Sequence, residues 1–196
     1  MAMTTATLLE FLRSHRHGVE ASNTKEGPPE AALIGFTVNE RLELFFDSFD
    51  STRKVANLRR DPRIALVIGG YAPGDARTVQ YEGEVDLPTG EELERFKNEY
   101  FAVHPDGLRR AGLAGITYFR VRPRWIRFTN FNVMPAQIVA FEGPGLGTDD
   151  GAEKPAVAVA MPYAQLKEPW QPKMEREPVF NAFEDSRART GKLEGQ

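Results

Sequence analysis

Cysteine is absent from this 196-residue chain, which removes disulfide scaffolds, thiolate nucleophiles and cysteine-bound zinc or iron–sulfur sites at once. Histidine is scarce, with three residues. His15 and His17 diverge if placed on a helix and His104 stands alone in a loop, so no metal-ligand set is visible. Excess positive charge is missing too: the formal net charge is −3, which provides no global field for counterion release from nucleic acid. No stretch approaches the roughly 20 apolar residues that span a bilayer, and the N-terminal MAMTTATLLEFLRSHRHG lacks the apolar core of a secretory signal. A soluble, cytoplasmic protein is expected, with no nucleic-acid or membrane partner. There is no nucleophile elbow or Ser/His/Asp pattern. Gly143, Gly145 and Gly147 lead into no helix and read as linker rather than as a dinucleotide loop.

What is present concentrates in Leu42 to Gly70, LELFFDSFDSTRKVANLRRDPRIALVIGG. Leu42, Leu44 and Phe46 alternate with Glu43, Phe45 and Asp47, which is the period of a strand with one apolar face and one mixed face. Ser48, Asp50, Ser51 and Thr52 are residue types that satisfy free backbone N–H groups at a helix start, and the spacing that follows predicts a helix over Ser51 to Arg60. Asp61 and Pro62 end it. IALVIGG is an unbroken apolar run and predicts a strand buried on both faces. Arg53 and Lys54 fall in the first helical turn, where the macrodipole disfavours cations. Two readings are open. Either a phosphate is held jointly by the N–H groups, the Ser51 and Thr52 hydroxyls and a guanidinium, or the two cations pair in solvent with Asp47, Asp50 or Asp61.

Elsewhere, Thr7 to Arg16 predicts a short amphipathic helix capped by Thr7. GVEASNT and Ala31 to Val38 predict strands that continue into Leu42 to Asp47 as an antiparallel meander. In RTVQYEGEVDL, Val79, Tyr81 and Val85 face one way, and Thr78, Gln80 and Glu82 the other. Leu93, Phe96, Tyr100 and Phe101 form the apolar stripe of a helix over EELERFKNEYFAV, followed by a loop at Pro105, Asp106 and Gly107. GITYFRVRPRWIRFTNF predicts two strand halves either side of Pro123. From Gly143 the composition turns to Gly, Asp, Pro and Glu, which divides the chain into a domain over 1–142 and a linker with an extended tail over 143–196.

The order of strands, with FFDSFDSTRKVANLRRDPRIALVI and RTVQYEGEV within it, resembles the FMN-binding split-barrel proteins of the pyridoxamine 5'-phosphate oxidase-like superfamily over roughly Thr7 to Phe131. The resemblance implies a mainly β, antiparallel split β-barrel with a few short helices, working as a homodimer on a small-molecule substrate. It implies that Arg53 and Lys54, helped by Ser51, hold the FMN phosphate, and that Ala32, Leu33, Ile34, Phe46, Asp47 and Ser48 lie beside the flavin ring. Gln80, or Thr78 on the same face, would contact the ring or ribityl chain, with Trp125 and Arg127 supplied by the second subunit. Two departures bear on activity. Phe36 stands about where the authentic oxidase carries a basic residue, and after Trp125 the chain offers TNFNVMP in place of an Arg and His pair. The resemblance therefore implies an FMN-dependent oxidoreductase of unassigned substrate. Its alternatives are a non-catalytic flavin-binding, storage or sensor protein, or the same barrel using deazaflavin or haem.

Overall fold

The computed structural model describes residues 3–70, 73–142 and 146; the linker and tail expected over 143–196 lie, apart from Leu146, outside the described residues. The chain opens with helix α1, Thr5–Arg13, and the strands β1, His17–Asn23, and β2, Pro29–Gly35. The short β3, Thr37–Val38, and β4, Leu44–Phe49, lead into helix α2, Arg53–Arg60. Strands β5, Arg63–Gly69, and β6, Arg77–Asp86, are followed by helices α3, Gly90–Val103, and α4, Asp106–Ala111. The long β7, Ile116–Asn130, and β8, Gln137–Glu142, complete the described part.

All strand pairings among the described residues are antiparallel, in the order β2-β1-β5-β6-β7-β4-β3, with β8 also on β7. The sheet curls into a half-barrel around one apolar core. It is not the simple meander that local hairpins suggest: β1 pairs with both β2 and β5, and β4 joins the far side through β7. The core takes Leu8 and Leu12 from α1, Val55 and Leu58 from α2, and the inward residues of β5, β6 and β7. Each such side chain contributes about 1.5–3 kcal/mol by leaving water. A second small cluster, Phe45, Phe96 and Tyr100, seats α3 on the other face of β4.

Several local expectations are corrected. Thr4, not Thr7, caps α1. Thr7 sits one turn in and completes a capping box, with the Thr7 N–H donating to Thr4 Oγ1 at 3.2 Å and the Thr4 N–H donating to Thr7 Oγ1 at 2.8 Å. The expected loop at Pro105 to Gly107 enters the helical turn α4, where Arg110 bonds Asp106 at 2.5 Å. Leu42 precedes the strand rather than starting it, with a positive φ of 60° in the β3–β4 turn. β7 is one strand rather than two. Its register against β6 shifts between Glu82 and Gly83, so that Gly83 faces Pro123 and Glu82 faces Trp125. A bulge of this kind accommodates a residue with no N–H to donate. Glycine is required opposite it, because a Cβ on Gly83 would come within 2.5 Å of the Arg122 carbonyl oxygen.

The largest difference is in β5. Ile64, Leu66 and Ile68 are buried, but Ala65 and Val67 are exposed. The strand is apolar on two faces and covered on one.

Candidate functional site

Two groups of residues emerge, one at the start of α2 and one on the outer wall of the sheet. At the helix start, Thr52 occupies the capping position, yet its side chain accepts from no helix N–H. Its hydroxyl donates instead to the Phe49 carbonyl at 2.8 Å and lies 2.9 Å from Ser48 Oγ. The free N–H groups of the first turn are thus left to a ligand or to water. Arg53 is 72% exposed and is held through Nε by Glu30 of β2 at 3.3 Å. Its two terminal nitrogens make no hydrogen bond or ion pair among the described residues, so the donors best suited to a phosphate remain available. Lys54 makes no ion pair among the described residues, and Ser51 is exposed. The solvent pairing of these cations with Asp47, Asp50 or Asp61 does not occur. Asp50 takes Arg59 at 3.1 Å, Asp61 takes Arg63 at 2.7 Å, and Asp47 takes Arg110 at 3.3 Å.

Two carboxylates that the sequence reading passed over lie beside these cations. Glu30 accepts from Asn57 Nδ2 of α2 at 2.8 Å as well as from Arg53. Glu20 of β1 is fully buried, and neither of its carboxylate oxygens meets a hydrogen-bond partner. Burial pushes its carboxyl up to about 7, with Lys54 opposing the shift and Glu30 adding to it. The available signal was strand parity. In HGVEASN the inward positions are Gly18, Glu20 and Ser22, which puts a carboxyl where an apolar side chain is usual.

The outer wall is built by register. Leu33, Val19, Val67, Gln80, Arg127 and Ala140 form one cross-strand row from β2 to β8. Its first part is apolar and open to solvent, with Leu33 67%, Val19 44% and Val67 46% exposed. The next row places Ala31, Ala21, Ala65, Glu82 and Trp125 alongside. A shallow groove of about 240 Å³ runs between Val19, Ala65, Val67 and Gln80. At its polar end the Arg127 guanidinium lies 5.6 Å from the Trp125 ring centroid, and its Nε is buried with no acceptor. Such an orphaned donor is uncommon and calls for an explanation.

The residues singled out from the sequence therefore divide. Leu33, Thr78, Gln80, Trp125 and Arg127 share the outer wall, while Ser51, Arg53 and Lys54 meet at the helix start. Phe46 is fully buried and Ile34 nearly so; both side chains belong to the core and leave only main chain for a ligand. Ala32 faces the same way as Ile34. Asp47 points to the α3 side, accepting from the Tyr100 hydroxyl at 2.9 Å and from Arg110, so it anchors helices rather than lining either patch. Ser48 is tied to Thr52. Among the described residues no group of three or more His, Asp or Glu side chains could hold a metal ion, and no helix is long and apolar enough to cross a membrane.

Residues 4–130 match the family model described as pyridoxamine 5'-phosphate oxidase. A heme binding protein from Mycobacterium smegmatis superposes with a TM-score of 0.64 at 16% identity, over 75% of this chain and 61% of that one. The chain thus spans about three fifths of that neighbour's length. A putative pyridoxamine 5'-phosphate oxidase from Listeria innocua gives 0.54 at 22% identity, covering 66% of this chain and 98% of its own. A pyridoxamine 5'-phosphate oxidase-related, FMN binding protein from Nostoc punctiforme gives 0.55 at 12% identity, covering 74% and 94%. At these identities the likeness concerns the split-barrel fold. No curated protein matches the chain.

Proposed function

Since the chain belongs to the pyridoxamine 5'-phosphate oxidase family, we propose that it binds FMN as a homodimer and serves as an oxidoreductase towards a small molecule. The observation that carries this is the outer-wall row, an open apolar strip that ends in Gln80 and in an arginine whose buried Nε lacks an acceptor. A flat aromatic ring with polar edges suits such a strip, which gives it apolar contact and hydrogen bonds in one plane.

The residues fit the cofactor. Arg53 offers two terminal nitrogens and Lys54 an ammonium to the phosphate, with Ser51 and the uncapped N–H groups of α2 beside them. Gln80 carries both a carbonyl and an NH2, so it can serve either kind of ring edge. Trp125 lies against Arg127 at the polar end and offers a further aromatic face beside the guanidinium. Arg53 reaches Glu30 on the inward side of β2, whereas Gln80 and Arg127 belong to the outer wall. That division supports a cofactor shared between two copies, with the second copy also covering Val19, Leu33 and Val67. FMN, when bound, supplies acceptance and donation of a hydride, so the protein contributes position and electrostatics and no catalytic side chain is assigned. Phe36 and the TNFNVMP segment lack the charged groups expected for a pyridoxamine phosphate substrate, so the small-molecule substrate is left unassigned.

The visible spectrum of the purified protein tests the cofactor directly, with flavin bands expected. A Soret band instead would favour a haem protein, as in the Mycobacterium neighbour. Arg53→Ala should weaken FMN binding by roughly one to two decades, the loss of a charge-assisted bond worth about 1.5–3 kcal/mol, while leaving riboflavin binding little changed. Equal FMN affinity in wild type and variant would refute the phosphate assignment.

A further inference from the structure

The buried, unpartnered carboxyl of Glu20 beside the α2 cations is left unused by the reading above. We infer that Glu20 takes up a proton when the helix-start pocket binds a phosphate group, so that anion binding at Arg53 and Lys54 is coupled to protonation of this residue. The inference rests on the reading of the α2 start as an anion site.

The surroundings of Glu20 are specific. Its side chain shares the inward face of β1 with Ser22, whose hydroxyl receives Asn57 Nδ2 at 3.4 Å. Across the strands it is paired with Ala32 of β2 and Leu66 of β5, neither of which can bond it. The charged groups facing it are Lys54 from α2, in electrostatic reach, and Glu30 from β2, which is itself held by Arg53. Glu20 therefore has one nearby cation, one nearby carboxylate and, on its own strand, the Ser22 hydroxyl, which favours the ionised form only weakly and stays outside hydrogen-bonding geometry. Lys54 is the main group that favours its ionised form, with Ser22 second.

A phosphate at the helix start changes that balance in one direction. It draws on the same ammonium that favours ionised Glu20 and places a further negative charge close to it, and both effects favour the neutral acid. Linkage makes the effect reciprocal: the phosphate binds more tightly to the pocket when Glu20 is protonated. With Glu20 neutral, the cations Arg53 and Lys54 face one carboxylate. With it ionised, they face two, and the site has no net charge to offer an anion. Glu20 thereby acts as a specificity-determining residue, because a ligand lacking the phosphate should be indifferent to its proton.

The test is FMN binding by the full chain, followed by quenching of flavin fluorescence between pH 6.5 and pH 8.5 (about the interval that brackets the titration of Glu20). Wild type should lose affinity with rising pH, up to about tenfold for a coupling of about one pH unit. Glu20→Gln should hold an even affinity across the range, and riboflavin should show no pH dependence in either protein. Calorimetry in two buffers of different ionisation enthalpy should register proton uptake on FMN binding by wild type and none by Glu20→Gln. Superimposable pH profiles for the two proteins would overturn the coupling. If FMN binds neither protein at any pH, the flavin reading fails by itself. The same pH series is then run with pyrophosphate and read by thermal shift. Stabilisation that fades with pH in wild type alone upholds the coupling, and equal or pH-independent stabilisation overturns it.

Discussion

The Tyr81 hydroxyl donates to the Leu42 carbonyl at 2.8 Å, joining the middle of β6 to the β3–β4 turn from inside the core. Leu42 is the one described non-glycine residue with positive φ, and its carbonyl is too buried to turn to water. The bond therefore fixes a turn conformation that a leucine does not favour by itself. Burial holds the Tyr81 phenol well above its ordinary range, with Glu43 adding to the shift, so it remains a donor at any physiological pH.

Tyr81→Phe should accordingly destabilise the fold by about 1–2 kcal/mol, the loss of one buried bond together with a carbonyl left without its donor. Urea unfolding checks this. The midpoint should fall while the slope stays unchanged, and an unaltered midpoint would mean that the turn holds without the bond.

Glu20 makes stability depend on pH in a stated direction. Its carboxyl titrates near 4.5 when unfolded and near 7 when folded, so the folded state retains the proton over that window. Stability from this group is fully present below about pH 4.5 and is lost as pH rises through about 7. Glu20→Gln keeps the neutral shape without the titration. Its stability relative to wild type should improve above pH 7 by on the order of 1–3 kcal/mol, the usual cost of a buried group left unsatisfied. Melting curves at pH 5 and pH 8 (on either side of the titration) would show it.

Val67→Glu places a charge in the middle of the outer wall without disturbing the core, because Val67 is 46% exposed in the protomer. The fold should change by no more than about 0.5 kcal/mol, yet the assembly should shift from dimer to monomer in light scattering at micromolar concentration. A wild-type monomer that retains flavin would remove the basis for a covered wall.

Gln80→Leu keeps size and loses both hydrogen-bonding functions. FMN binding should weaken by about threefold to tenfold, in line with one neutral bond of about 0.5–1.5 kcal/mol. The midpoint potential should become more negative, since a donor that strengthens as charge develops on the ring favours the reduced form. If affinity and potential both stay the same, Gln80 does not face the ring.

Much of the fold could be read from side-chain period and turn chemistry. The alternation in Arg77 to Asp86 places Val79 and Tyr81 inward and Thr78 and Gln80 outward, as found. The Ser/Thr-rich turn before Arg53 marks the start of α2, although Thr52 spends its hydroxyl on Phe49 rather than on the helix. IALVIGG misled for a physical reason. Apolar residues on both faces of a strand show that both are meant to be covered, but not whether the second cover comes from the same chain. The resemblance puts Phe46 and Ile34 beside a ligand, while their inward parity commits their side chains to the core. Glu20 is the hardest to read, because a lone glutamate in a weak strand looks solvated until its neighbours in space are known. β8 carries little signal of its own, since QIVAFE is short and lies next to the change of composition at Gly143.

The bulge opposite Gly83 has a consequence for the count of residues in β7. Before it the inward side chains carry odd numbers, Phe119 and Val121; after it they carry even numbers, Ile126 and Phe128. Arg124 is the one residue that changes the parity, standing between Pro123 and Trp125 with no opposite number on β6. Deleting it alone would close the bulge and leave the alternation in phase, with Trp125 pointing outward directly after Pro123 and Ile126 and Phe128 still inward. A natural variant shortened by this one residue should keep the wall and lose only the local bend of the strand, and any residue type at position 124 that tolerates exposure should serve.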